Sequence, residues 1–101
     1  MSSDVHIQEI KSKVEAERVV ISGLDSAIKD SYLKERLRRA SLSLDDAELF
    51  VRKSLQAQTL DHVSMWLNGA DTAIQIAAQQ RKLVQDIVAK YGPNAQSIFP
   101  K

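Results

Sequence analysis

The sequence predicts an all-α fold, an antiparallel helical hairpin or bundle of two to four helices completed by dimerisation. Three observations predict it. Apolar residues recur at three-, four- and seven-residue spacings along most of the 101 residues. The segment Tyr91-Gly92-Pro93 is a strong helix stop, a glycine for the cap followed by a proline that cannot continue the ladder. Finally, residues 62–80, "HVSMWLNGADTAIQIAAQQ", hold one formal charge, Asp71, although the chain carries 14 Lys and Arg and 13 Asp and Glu.

In the first third, Ile7, Ile10, Val14, Ile21, Leu24 and Ile28 fall on one helical face, with Glu17 at its margin. Glu9 with Lys13 and Asp30 with Lys34 are acidic-to-basic pairs four apart that suit an exposed side. The stripe then jumps: at about 100° per residue, Leu33, Leu37 and Ala40 lie opposite Ile21, Leu24 and Ile28. We read a continuous but bent helix from about residue 4 to 41, with Ser22-Gly23 or Lys29-Asp30-Ser31 as the place of the bend.

The stretch "ASLSLDDAELF" reads as the next boundary. Ser43 with Asp46 approximates a capping box, and Asp45, Asp46 and Glu48 supply negative charge to a first turn. Lys34, Arg36, Arg38 and Arg39 stand just before it, where the end of a preceding helix favours cations. A second helix is then expected over residues 44–91, with a soft spot at Gln58-Thr59 where Thr59 could cap a new start. Residues 1–92 form the helical domain and 93–101 an irregular tail, with Ile98 and Phe99 the groups able to dock it.

The neutral stretch follows from its wheel. Trp66, Ala70, Ala73, Ala77, Val84, Val88 and Tyr91 make one broad apolar face, while Met65, Ile76 and Leu83 make a second about 100° away. A helix apolar on two sides is buried on two sides, and small residues such as Gly69, Ala73 and Ala77 let a neighbouring backbone come close. One hairpin covers two such faces poorly, so a second copy is expected to cover the rest. The candidate self-association residues are Met65, Trp66, Ala70, Ala73, Ile76, Ala77 and Leu83.

Composition narrows the function classes. There is no cysteine, hence no disulfide or thiolate site, and a reducing cytoplasm is the expected compartment. No apolar run exceeds three residues (Val19-Val20-Ile21 is one), so no bilayer span is expected, and "MSSDVHIQEIK" has no signal-peptide pattern. Net charge is +1, divided as −2 over residues 1–50 and +3 over 51–101, well short of the field of a dedicated nucleic-acid binder.

Chemical constellations are sparse. His6 and His62 stand far apart with no ligand-spaced partner, so no metal or other cofactor is expected. A histidine on a helical bundle is similar to a phosphotransfer domain in size and class, but those follow the histidine with a Lys-Gly pair that "HVSMWLNG" lacks. The Trp-x-Gly hairpins exported by type VII systems share the length, yet "WLNG" sets Gly69 three residues after Trp66 and inside a helix. No phosphate-binding glycine loop or nucleophile elbow is present, and an enzyme is not expected.

The segment "KERLRR" is the main polar candidate. Lys34, Arg38 and Arg39, extended across the expected turn by Arg52 and Lys53, could contact phosphates, but only Tyr32 is available to stack a base. The expectation is a small non-enzymatic interaction or assembly module, a homodimer with a further unidentified protein partner. The alternatives are a nucleic-acid-binding regulator using that basic patch and, on size alone, a helical immunity or inhibitor protein.

Overall fold

The computed structural model describes residues 2–92, which form three helices and, among the described residues, no strand. Helix α1 is Ser2–Ala27, α2 is Ser31–Gln56 and α3 is Leu60–Tyr91. The expected tail at 93–101 lies outside the described residues. Cross-helix contacts set the directions. Arg18 reaches Asp45 and Glu48, and Lys34 reaches Asp25, so α1 and α2 run antiparallel. Phe50 meets Trp66 while Arg36 meets Gln80, so α2 and α3 also run antiparallel. His6 joins Asp71 and Glu17 joins Arg81, which makes α1 and α3 parallel. The result is an up-down-up bundle with extents of 52 × 22 × 17 Å.

The continuous helix expected over 4–41 is broken. Ile28 still donates to the Leu24 carbonyl, but Asp30 takes an extended backbone (φ −67°, ψ 128°) and its carboxylate accepts from the Leu33 N–H at 2.9 Å. Lys34 closes the corner from the other side, its ammonium donating to the Asp25 carbonyl at 2.8 Å. A buried N-cap carboxylate satisfies an otherwise orphaned donor, and the chain reverses there in three residues. This break also explains the jump of the apolar stripe: the two stripes belong to two helices, and both face the same core.

The turn expected at 41–43 does not exist, because α2 runs through it without interruption. Leu33, Leu37, Ala40, Leu44, Ala47, Val51 and Ser54 are all buried, at alternating spacings of four and three. Capping a helix at Ser43 would break that stripe in its middle, and burial of the stripe outweighs a cap worth about 1 kcal/mol. The acidic residues taken for a first turn have another use, since Arg18 of α1 binds Asp45 at 2.8 Å and also Glu48.

The second helix expected over 44–91 is also broken, at the soft spot Gln58-Thr59, while its expected stop at Gly92 is kept. Thr59 caps α3, its hydroxyl accepting from the His62 N–H at 3.2 Å. Gly92 ends it with φ 87°, its N–H donating to the Val88 carbonyl at 2.8 Å. That positive φ is the conformation a side chain would strain.

Helices α2 and α3 share the larger contact, and its chemistry is visible in the register. The antiparallel offset that sets Arg36 by Gln80 brings Ala40 to within about one residue of Ala77 and Ala47 likewise of Ala70; all four are fully buried. Small residues facing small residues let the two backbones approach closely. Ile7, Ile10, Val14, Ile21 and Ile28 of α1 then bury into the groove on one side of this pair, as their spacing predicted, with Leu24 half-buried.

Candidate functional site

With α1 in one groove of the α2–α3 pair, the opposite groove is open. Along α3 its wall is the stripe Met65, Gly69, Thr72, Ile76, Gln79 and Leu83, spaced alternately four and three apart like the core stripe of α2. Met65, Ile76 and Leu83 are 53%, 45% and 38% exposed. The predicted second face of α3 therefore exists and the chain leaves it bare.

Phe50 of α2 forms the floor at one end. Its ring packs against Trp66 with centroids 5.6 Å apart, and it fills the place of a side chain at position 69, where an added Cβ would lie 3.3 Å from the ring. Gly69 is thus a slot for an aromatic ring. At the other end Arg36 donates to Gln80 and to the Tyr32 hydroxyl, with its guanidinium 5.2 Å above the Tyr32 ring. The Thr72 hydroxyl is spent on the Asn68 carbonyl at 3.0 Å. Asp71, the lone charge of the neutral stretch, faces α1 and meets His6 Nε2 at 2.7 Å. The open wall consequently carries no formal charge from Met65 to Leu83.

The self-association residues expected from sequence therefore divide. Met65, Ile76 and Leu83 lie on the open wall and Trp66 is half-buried at its floor, but Ala70, Ala73 and Ala77 are buried against α2 within the chain. Phe50 and Thr72 belong to the groove and were not foreseen, while Gly69, expected to admit a neighbouring backbone, admits the Phe50 ring. The signal for Phe50 was hidden by the mistaken boundary at 41–43, which obscured the face of α2 on which it lies.

The basic cluster is not assembled as expected. Arg52 and Lys53 lie on the same helix as Arg38 and Arg39, about two heptads or roughly 20 Å further along, because the turn that was to fold them back is absent. Lys34 is held by Asp25, while Arg38 and Arg39 both pair with Glu35. The hydrogen bond from Arg38 pulls the Glu35 carboxyl down to about 2 and raises Arg38 in turn. Lys34 also sits in the first turn of α2, where the dipole disfavours a cation, whereas Arg38 and Arg39 lie further in and are held by Glu35.

Two further charged clasps tie α1 down. Glu17 and Arg81 form a bidentate pair at 2.6 and 3.0 Å, and the carboxylate raises the Arg81 pKa. Arg18 is raised likewise by its bonds to Asp45 and Glu48. Among the described residues no cluster of His, Asp and Glu converges as a metal site, and no helix is long and apolar enough to cross a membrane. A groove between α1 and α2, lined by Ile10, Val14, Val51 and Leu55, carries Arg18 and Glu48 on its rim, already paired with each other.

Fold and groove together define a three-helix bundle with an open apolar face along α3. Comparison with family models, with curated proteins and with solved structures finds no match.

Proposed function

We propose that this protein is a small, non-enzymatic interaction or assembly module that works in the cytoplasm as a homodimer and receives an apolar helix in the open groove of α2–α3. One observation carries the reading: Met65, Ile76 and Leu83 are exposed on a single wall with no formal charge, beside an aromatic floor of Phe50 and Trp66. Exposed apolar side chains gathered on one wall of a small protein mark a binding face, and helix-in-groove recognition lays the apolar stripe of a partner helix against such a wall. The nucleic-acid alternative is disfavoured by the pairing of Lys34, Arg38 and Arg39 with carboxylates, which leaves little net charge to release counterions from phosphate.

The test is affinity capture from the native host with the wild-type chain and an Ile76→Glu variant as baits. Proteins held by the wild type and lost with the variant support the module reading. Identical sets from both baits, or none from either, would remove it. A gel-shift titration at about 50 mM salt tests the alternative, which would be favoured by micromolar binding abolished in the Arg38→Ala, Arg39→Ala double variant.

A further inference from the structure

We infer that the occupant of the open groove is helix α3 of a second copy, lying antiparallel and centred on Ile74; this rests on the module reading above and names its partner. The pattern of the wall is symmetric about residue 74. Reversing the helix exchanges Met65 with Leu83, Gly69 with Gln79 and Thr72 with Ile76. A two-fold interface requires a surface complementary to itself, and this reversal supplies it. Met65 of one copy meets Leu83 of the other, Ile76 meets the methyl group of Thr72, and Gln79 lies over the Phe50 ring that covers Gly69, with its amide free to turn toward water. The alternating spacing of four and three is the one at which antiparallel helices interlock side chains.

Charge selects the same partner. The α3 wall offers a charged segment nothing between Met65 and Leu83, and two such walls meet without a like-charge contact; Arg36 of α2 stands at the groove's end, turned to Gln80 and Tyr32. At either end Asp61 of one copy comes near Asp86 and Lys90 of the other, groups of both signs in open solvent that contribute little. Size is adequate. The wall runs about 27 Å at about 1.5 Å per residue, and a pair of packed helices is about 20 Å across. That gives a footprint on the order of 550 Å², before the relief of the side chains is counted, close to the roughly 600 Å² per partner at which specific interfaces begin.

The absence of cysteine makes the test direct. Light scattering on the full chain at about 10 μM should give twice 11.3 kDa. Ile76→Glu should weaken association at least tenfold while keeping the helical circular dichroism signal and melting temperature of a folded monomer, since the position is exposed. Mixing Thr72→Cys with Ile76→Cys under mild oxidation should yield a covalent dimer between the two variants, whereas Met65→Cys alone should not cross-link to itself. A monomer at every concentration overturns the inference, as does a dimer untouched by Ile76→Glu. Self-cross-linking of Met65→Cys in preference to the mixed pair indicates parallel pairing and overturns it too. If the chain is monomeric yet Ile76→Glu still loses partners in affinity capture, the second copy is excluded and the module reading survives.

Discussion

The α2–α3 pair and helix α1 are held by different means. The pair is joined through a seam of small residues, Ala40 and Ala47 beside Ala77 and Ala70, where backbones are close and volume is fixed. Helix α1 lies in the resulting groove by an isoleucine-rich stripe and is fastened at its sides by His6–Asp71, Glu17–Arg81 and Arg18 with Asp45 and Glu48. One joint depends on fit and the other on partners. Stability is therefore expected to be uneven, with α2–α3 as the platform and α1 as the element predicted to open first.

Truncation in the core should have the largest effect. Leu44→Ala, at a side chain with no exposure, should cost about 2–5 kcal/mol in a denaturant titration. Native-state hydrogen exchange on the wild type should show α1 amides exchanging through a partial opening while central α2 and α3 amides exchange only on global unfolding. Equal protection in all three helices would break the distinction.

Next comes overpacking of the seam. Ala77→Leu should destabilise by about 1–3 kcal/mol, because the facing backbone has no room to retreat. An unchanged melting temperature would mean that the seam is loose. Removing a clasp should matter less: Glu17→Gln leaves a neutral amide facing Arg81 and should cost about 1–2 kcal/mol, with faster exchange confined to α1.

The smallest effect belongs to Glu35, which touches neither joint. Its folded pKa lies below the ordinary value, so whatever stability it adds is present above about pH 4.5 and lost as pH falls through about 2. Because the pair lies at the surface, the acid transition of the whole protein should hardly feel it. A carbon NMR titration should find the Glu35 carboxyl still ionised at pH 3, and Arg38→Ala should return it to the usual range.

What could be seen in the sequence depended on whether local and tertiary signals agreed. At Thr59 and Gly92 a cap residue coincides with a change of pattern: α3 starts at the soft spot the sequence offers and stops where the sequence places its stop. Around Ser43 they conflict. The capping residues are local, whereas the stripe from Leu33 to Ser54 counts only once the whole helix is buried. That stripe was present in the letters as a strict four-three alternation, and following it across residues 41–46 would have removed the false turn. Asp30 is the reverse case: an ordinary i, i+4 pair with Lys34 concealed a buried cap. The two faces of α3 were legible from its lack of charge. Which face the chain itself would cover was not, because that depends on where α1 comes to rest.

Trp66 gives this architecture a built-in optical reporter. It is the one tryptophan in the chain, half-buried beside Phe50 at the floor of the open groove. An indole in that position emits at a wavelength set by the water reaching its edge, with no other tryptophan to obscure the signal. Anything that seats in the groove and excludes that water shifts the emission to the blue and slows collisional quenching by iodide. Occupancy can thus be followed in the unmodified protein by its own light.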